Sequence, residues 1–190
     1  MNRIRNDKNA LTSYVSEKEE GIQQLEKIIK RVLEDTARFE RELRIRQQQE
    51  TLKTKSFKAL KGQLPWPADG RIISKFGRQW NSKLKTTTEN PGIDIKGKPG
   101  SSIRTVLGGV VTTITYIRGY GTTIIVDHGG GFYTVYSHVT NIQTNVDSQV
   151  RDGDVIAYMG DSGSINGSKL HFEIWGKGQK LDPEKWLRKK

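Results

Sequence analysis

Few side chains in this sequence can do acid–base or metal chemistry. There are three histidines, His128, His138 and His171, and no cysteine. Thiolate metal ligands, a cysteine nucleophile and a disulfide framework are therefore excluded. His128 stands in VDHGGG, beside three glycines at the end of an apolar run, and is read as closing a hairpin. His138 stands in YSHV and His171 in KLHFEIW. In an extended strand, residues two apart point to the same face, so Lys169 and His171 share a face. Asp94, in GIDIKG, is a carboxylate at the start of another short apolar alternation. By themselves these groups are compatible with a satisfied groove histidine, an acid–base pair or part of a metal site.

The elements that must position them fall into two unlike halves. Residues 1–61 contain no proline and one glycine, Gly21, and are dense in Glu, Lys, Arg and Gln, which are good helix formers. Stepping alternately by four and three from Leu11 meets Val15, Lys18, Ile22, Leu25, Ile29, Val32, Thr36, Phe39, Leu43, Arg46 and Glu50. This narrow apolar stripe, best between Ile22 and Leu43, predicts a helical coiled-coil arm over 1–62 with another helix as its partner. At GQLPWPADG, residues 62–70, prolines and glycines end that pattern. From 63 to 190 short β-branched and aromatic runs alternate with turn residues, predicting a mainly β domain of sandwich or barrel type. PEKWLRKK, at the end, has a helical pattern, and GRQWNSKLKTTTE, residues 77–89, is read as a loop over the groove that gates access.

The net charge of +11 points to an anionic partner: nucleic acid, an acidic membrane surface, a cell-wall polymer or an acidic protein face. Nucleic acid is disfavoured, because the aromatics are spread through strands and turns rather than interleaved with a basic patch. No run of about 18 apolar residues exists to span a membrane. The start, MNRIRNDKNALTSY, lacks the apolar segment of a signal peptide, so for an exported protein the export signal or anchor is expected outside this sequence.

Taken in order, PWPADGRIISKFG, PGIDIKGKPGSSIRTVLGGVV, RGYGTTIIVDHGGGFYTVYSHV, VRDGDVIAYMGDSGS, LHFEIW and LDPEKWL resemble the LytM (lysostaphin-type) peptidase domain over residues 64–188. The resemblance implies an antiparallel β-sandwich with a groove. In active members a zinc ion is held by the histidine and aspartate of an HxGxD-like motif and by the second histidine of an HxH strand. A separate histidine and the first histidine of HxH serve the attacking water. Carried over, Asn90 stands at the first ligand and Asp94 at the second. His138 matches the separate histidine, Lys169 replaces the first histidine of HxH, and His171 is its second. Two of five functional positions are replaced.

Only Asp94 and His171 remain as good ligands, whereas a catalytic zinc takes three plus an open position. An ammonium at Lys169 would repel the ion by about 4 kcal/mol per unit charge product at ~4 Å and an effective dielectric of ~20. The expectation is a vestigial site without metal or other cofactor, in which Lys169 neutralises Asp94. The resemblance, including the ending FEIWGKGQKLDPEKWL, is to the EnvC-like and NlpD-like murein hydrolase activators. It implies a non-catalytic periplasmic or otherwise extracytoplasmic regulator. Asn90, Asp94, Arg118, His138, Lys169 and His171 would line a cleft that binds a cell-wall amidase or peptidoglycan, in cell-wall remodelling and cell division. Lys169 and Arg118 would favour an acidic segment of the partner. Two alternatives stay open. One is a zinc endopeptidase cleaving peptidoglycan cross-links with Glu89 filling the lost ligand position; the other is a cell-wall scaffold that activates nothing.

Overall fold

The computed structural model describes residues 2–46, 57–81, 85–161, 164 and 167–189, and within the N-terminal helix the side chains of residues 11–37. The helix, α1, spans Asn2–Arg46. A short 3-10 turn, Phe57–Leu60, leads into the β domain. Its strands are β1 (Arg71–Ser74), β2 (Gly77–Asn81), β3 (Thr86–Asn90), β4 (Ile93–Lys96), β5 (Ser102–Arg104), β6 (Gly109–Ile117) and β7 (Gly121–Asp127). They continue as β8 (Phe132–Ser137), β9 (Val139–Thr140), β10 (Gln149–Val150), β11 (Val155–Met159), β12 (Leu170–Gly176) and β13 (Gln179–Leu181).

The main antiparallel sheet has the order β1-β4-β12-β8-β7-β6-β10, with β13 on β12. A small sheet, β5-β11-β9, packs against one face. Period-two alternation sorts the side chains. Ile93 and Ile95 of β4, Ile124 and Val126 of β7, Tyr136 of β8 and Phe172 and Ile174 of β12 enter one core with Ile103, Ile156 and Met159 of the small sheet. Ile117, Ile125, Tyr133, Val135 and Trp175 point the other way, and α1 covers them with Leu25 and Ile29. Both faces of the sheet centre are thus occupied, which is why β8 and β12 are buried along their whole length.

Three expectations are corrected here. The apolar stripe of α1 takes the chain's own sheet, not a second helix, as its partner over Ile22, Leu25, Ile29 and Val32. A flat apolar sheet face accepts the same narrow stripe as a helix would. Thr36, the last described residue of the stripe, lies 3.0 Å from the Tyr133 hydroxyl; the side chains of Phe39, Leu43 and Arg46, and Glu50 altogether, lie outside the described residues. Second, the described residues of 77–89 are two paired strands, β2 and β3, in register from Gly77↔Asn90 to Asn81↔Thr86. Three consecutive threonines suit a pleated surface despite their polarity. Third, the terminal PEKWLRKK is only a 3-10 turn at Pro183–Lys185, capped by Asp182.

Candidate functional site

The site grows from one face of β12. The odd positions Lys169, His171, Glu173 and Trp175 all point toward α1, while Leu170, Phe172 and Ile174 point into the opposite core. Strand β4 lies alongside with His171 directly opposite Asp94. The result is one hydrogen-bonded chain of side chains. Lys169 Nζ donates to Asp94 Oδ2 at 2.6 Å, and His171 Nδ1 lies 2.7 Å from Asp94 Oδ1. His171 Nε2 is 2.8 Å from Glu173 Oε1, and Trp175 Nε1 donates to Glu173 Oε2 at 2.6 Å. Gly92 leaves the space Glu173 needs, since a Cβ there would stand 2.2 Å from the Phe172 carbonyl oxygen and 2.8 Å from Glu173 Cγ.

Both ring nitrogens of His171 face carboxylate oxygens, and only the imidazolium donates to both. Burial works against that charge, but the bonds to Asp94 and Glu173 prevail and hold its pKa above the ordinary histidine value. Burial likewise opposes ionisation of Asp94, yet the bonds to His171 and Lys169 hold its carboxyl well below the usual carboxylate range. Two cations and two anions therefore balance in a nearly dry pocket: the side chains of Lys169, His171 and Glu173 are 4%, 3% and 0% exposed. Buried charges are tolerated only when paired and hydrogen-bonded in this way.

Helix α1 forms the lid. Tyr120, in the β6–β7 turn, meets His171 edge to face at 5.0 Å, and Lys18 of α1 lies with Nζ 4.0 Å from the Tyr120 ring centroid. Burial, with Lys169 nearby, pushes Lys18 down to about 8, against the attraction of Asp94 and Glu173. One turn further along α1, Gly21 lets the backbones touch: a Cβ there would stand 2.6 Å from the Arg118 carbonyl oxygen and 2.8 Å from the Tyr120 ring. At the rim Arg118 Nε donates to Glu17 at 3.0 Å, and Lys180 Nζ to Glu26 at 2.7 Å.

The residues expected at the site are not all brought together. Asp94, Lys169 and His171 are, with the Asp94–Lys169 pair as anticipated. Asn90 sits at the base of the paired strands β2 and β3, its amide donating to Ser74 Oγ at 2.8 Å and its carbonyl accepting from Gly92 N at 3.1 Å. His138 is buried at the β8–β9 junction with φ of 63°, its N–H bonded to the Tyr120 carbonyl and its carbonyl to Gly160 N. Arg118 is exposed at the rim, outside the buried chain of side chains. Lys169 is bonded to Asp94 and Arg118 to Glu17, and the side chain laid over the site is that of Lys18. Glu173, Trp175, Tyr120, Lys18 and Gly21 were not anticipated. Extending the alternation of KLHFEIW beyond His171 would have found the first two.

Zinc does not fit this donor set. Ligand atoms of a tetrahedral ion bound at ~2.0 Å stand ~3.3 Å apart, whereas His171 Nδ1 and Asp94 Oδ1 share a hydrogen bond at 2.7 Å. The second oxygen of Asp94 is held by Lys169, and the Asn90 carbonyl by a backbone amide. Glu89 cannot make up the set from its place: it alternates with Asn90 on β3 and is exposed opposite Arg78. Among the described residues no cluster of three or more histidine and acidic side chains is placed to hold a metal ion.

The ligand positions just described, on the paired strands β4 and β12 of this antiparallel frame, agree with the class: the chain belongs to peptidase family M23, whose model matches residues 88–183. Among curated relatives it is 33% identical over 129 residues to the murein hydrolase activator EnvC of Escherichia coli, covering 68% of this chain and 30% of the relative. It is 35% identical over 123 residues to the murein hydrolase activator NlpD of Escherichia coli, covering 64% and 30%. The chain thus spans less than a third of these relatives. A zinc-containing peptidase of Vibrio cholerae shares the fold, with a TM-score of 0.61 at 22% identity over 68% of this chain and 41% of that one.

Proposed function

We propose that this chain is a non-catalytic regulator of murein hydrolysis, which uses the groove above Asp94, Lys169 and His171 to bind and switch on a cell-wall amidase. The observation that carries this reading is the ammonium of Lys169, bonded to Asp94 at 2.6 Å. It supplies from within the chain the positive charge that a metal would bring, and so turns a peptidase site into a closed, charge-balanced floor. Such a floor can be recognised but has no place for a metal-bound water. The relatives named as murein hydrolase activators support the same reading, and with it an extracytoplasmic location and an envelope partner.

Helix α1 lies across this floor, so binding there requires that the helix move aside. The regulator is closed at rest, and its activity is set by the helix's docking equilibrium. The test is release of dye from labelled murein by an amidase of the same organism. Adding the chain is expected to raise the rate, and loosening α1 to raise it further. Release by the chain alone, dependent on added zinc, would show a peptidase. Unchanged amidase activity with both closed and loosened chain would show a scaffold.

A further inference from the structure

The main sheet has one undefended edge. Strand β10 covers β6 only at Gly109 and Val110, and the backbone bonds of Ser148 and Asp147 extend this no further than Val111. From Thr112 to Ile117, β6 pairs with β7 on one side, and no described strand pairs with it on the other. The burial pattern agrees: every residue from Thr112 to Thr115 is half-buried and Tyr116 is 65% exposed, whereas β8 and β12 are buried throughout. Helix α1 packs on the face of the sheet, over Ile117 at the end of β6, and crosses from Arg118, at Gly21, toward Gly178, at Leu33.

Sheet edges in stable monomers are blunted by lysine, proline or burial. Strand β6, GVVTTITYI, has no charged residue and no proline; its one irregularity is the bulge between Val111 and Thr113. The opposite edge is defended: β1 has four residues, begins with Arg71 and is followed by Lys75. We propose that the β6 edge pairs antiparallel with the β6 edge of a second copy of this chain, joining two main sheets into one.

The strand is complementary to itself. In a pairing centred on Ile114, Thr113 lies opposite Thr115 of the second copy and Thr112 opposite its Tyr116, combinations that favour cross-strand association. Pairing runs from Thr112 to Tyr116, short of the covered Val110 and Val111, and no charged residue lies within it. The contact is isologous and closes at two, because the same stretch of β6 serves both copies. A strip this narrow buries less than a standard stable interface, so the dimer is weak.

Sedimentation velocity from about 10 to 500 μM tests the proposal, with hydrogen exchange read at both ends of the range. The expected result is a concentration-dependent dimer in which amides between Thr112 and Ile117 exchange more slowly at high concentration. Thr115→Lys, which places a charge on the edge, should weaken dimerisation at least tenfold; Tyr116→Lys, at an exposed position, should do so without touching the core. A chain that stays monomeric to 500 μM, or a dimer unaffected by both variants and without protection on β6, overturns it.

Discussion

Helix α1 and the β6–β7 turn come close at Gly21, and replacing it tests whether α1 is held by packing or merely happens to be helical. A Cβ at this position would stand 2.6 Å from the Arg118 carbonyl oxygen, a backbone atom that cannot swing aside. In Gly21→Ala two effects oppose each other. Alanine favours an isolated helix by about 1 kcal/mol over glycine. Docking, however, rests chiefly on Leu25 and Ile29, each 1% exposed under α1. Their burial contributes about 1.5–3 kcal/mol apiece, so lifting the helix forfeits up to about 3–6 kcal/mol. The second effect is larger, and Gly21→Leu enlarges it again. The expected outcome is faster hydrogen exchange along α1 and a red-shifted emission from Trp175, which lies 4% exposed beneath the helix. If α1 in Gly21→Ala is instead as protected as in the wild type or more so, with Trp175 unchanged, the helix is not packed as argued. The same variants should raise amidase activation if the proposed function is right.

Other outcomes follow from the buried charges. Lys169→Ala leaves Asp94 with one fewer cation in a dry pocket and is expected to cost about 3–5 kcal/mol in urea unfolding. Lys18→Met should tighten α1, because burial holds this lysine at about 8 instead of 10.5, a penalty on the charged form of the order of 3 kcal/mol; slower exchange across α1 is the readout. For the same reason wild-type docking should strengthen as pH rises from about 8 to 10.5. His128 is buried, its Nδ1 3.0 Å from the Gly108 carbonyl and its Nε2 2.8 Å from Thr134 Oγ1, and burial lowers it to about 4 from 6.5. A lowered folded pKa means that the unfolded chain binds the extra proton first. This contribution, about 3 kcal/mol, is therefore full above pH 6.5 and lost as pH falls through 4. His171 has the opposite sign, its stabilisation being present below 6.5 and lost as pH rises through its raised value. Acid unfolding curves of the wild type and His128→Gln separate the two, and equal acid sensitivity would refute the assignment to His128.

Much of the β domain was legible because its signals are local. Alternation in KLHFEIW sets Lys169 and His171 on one face whatever the rest of the chain does, and Asp94 can be placed by the motif order. The β2–β3 pairing was hidden because Thr86, Thr87 and Thr88 look like polar loop when their pairing with Asn81, Trp80 and Gln79 is unknown. The coiled-coil reading of α1 went astray for a related reason. A stripe through Ile22, Leu25, Ile29 and Val32 states that one face needs an apolar partner, but not which partner.

The sequence by itself determined the two halves, the family and the loss of two ligand positions, since residue type and spacing decide these. Only the tertiary structure decided that Asp94 and Glu173 bracket His171, that Lys18 reaches the floor, and that Gly21 fits beneath the Arg118 turn. Those contacts join residues up to about 150 positions apart, and their energies come from exclusion of water and from pairing of charges in three dimensions, neither of which leaves a periodic trace along the chain.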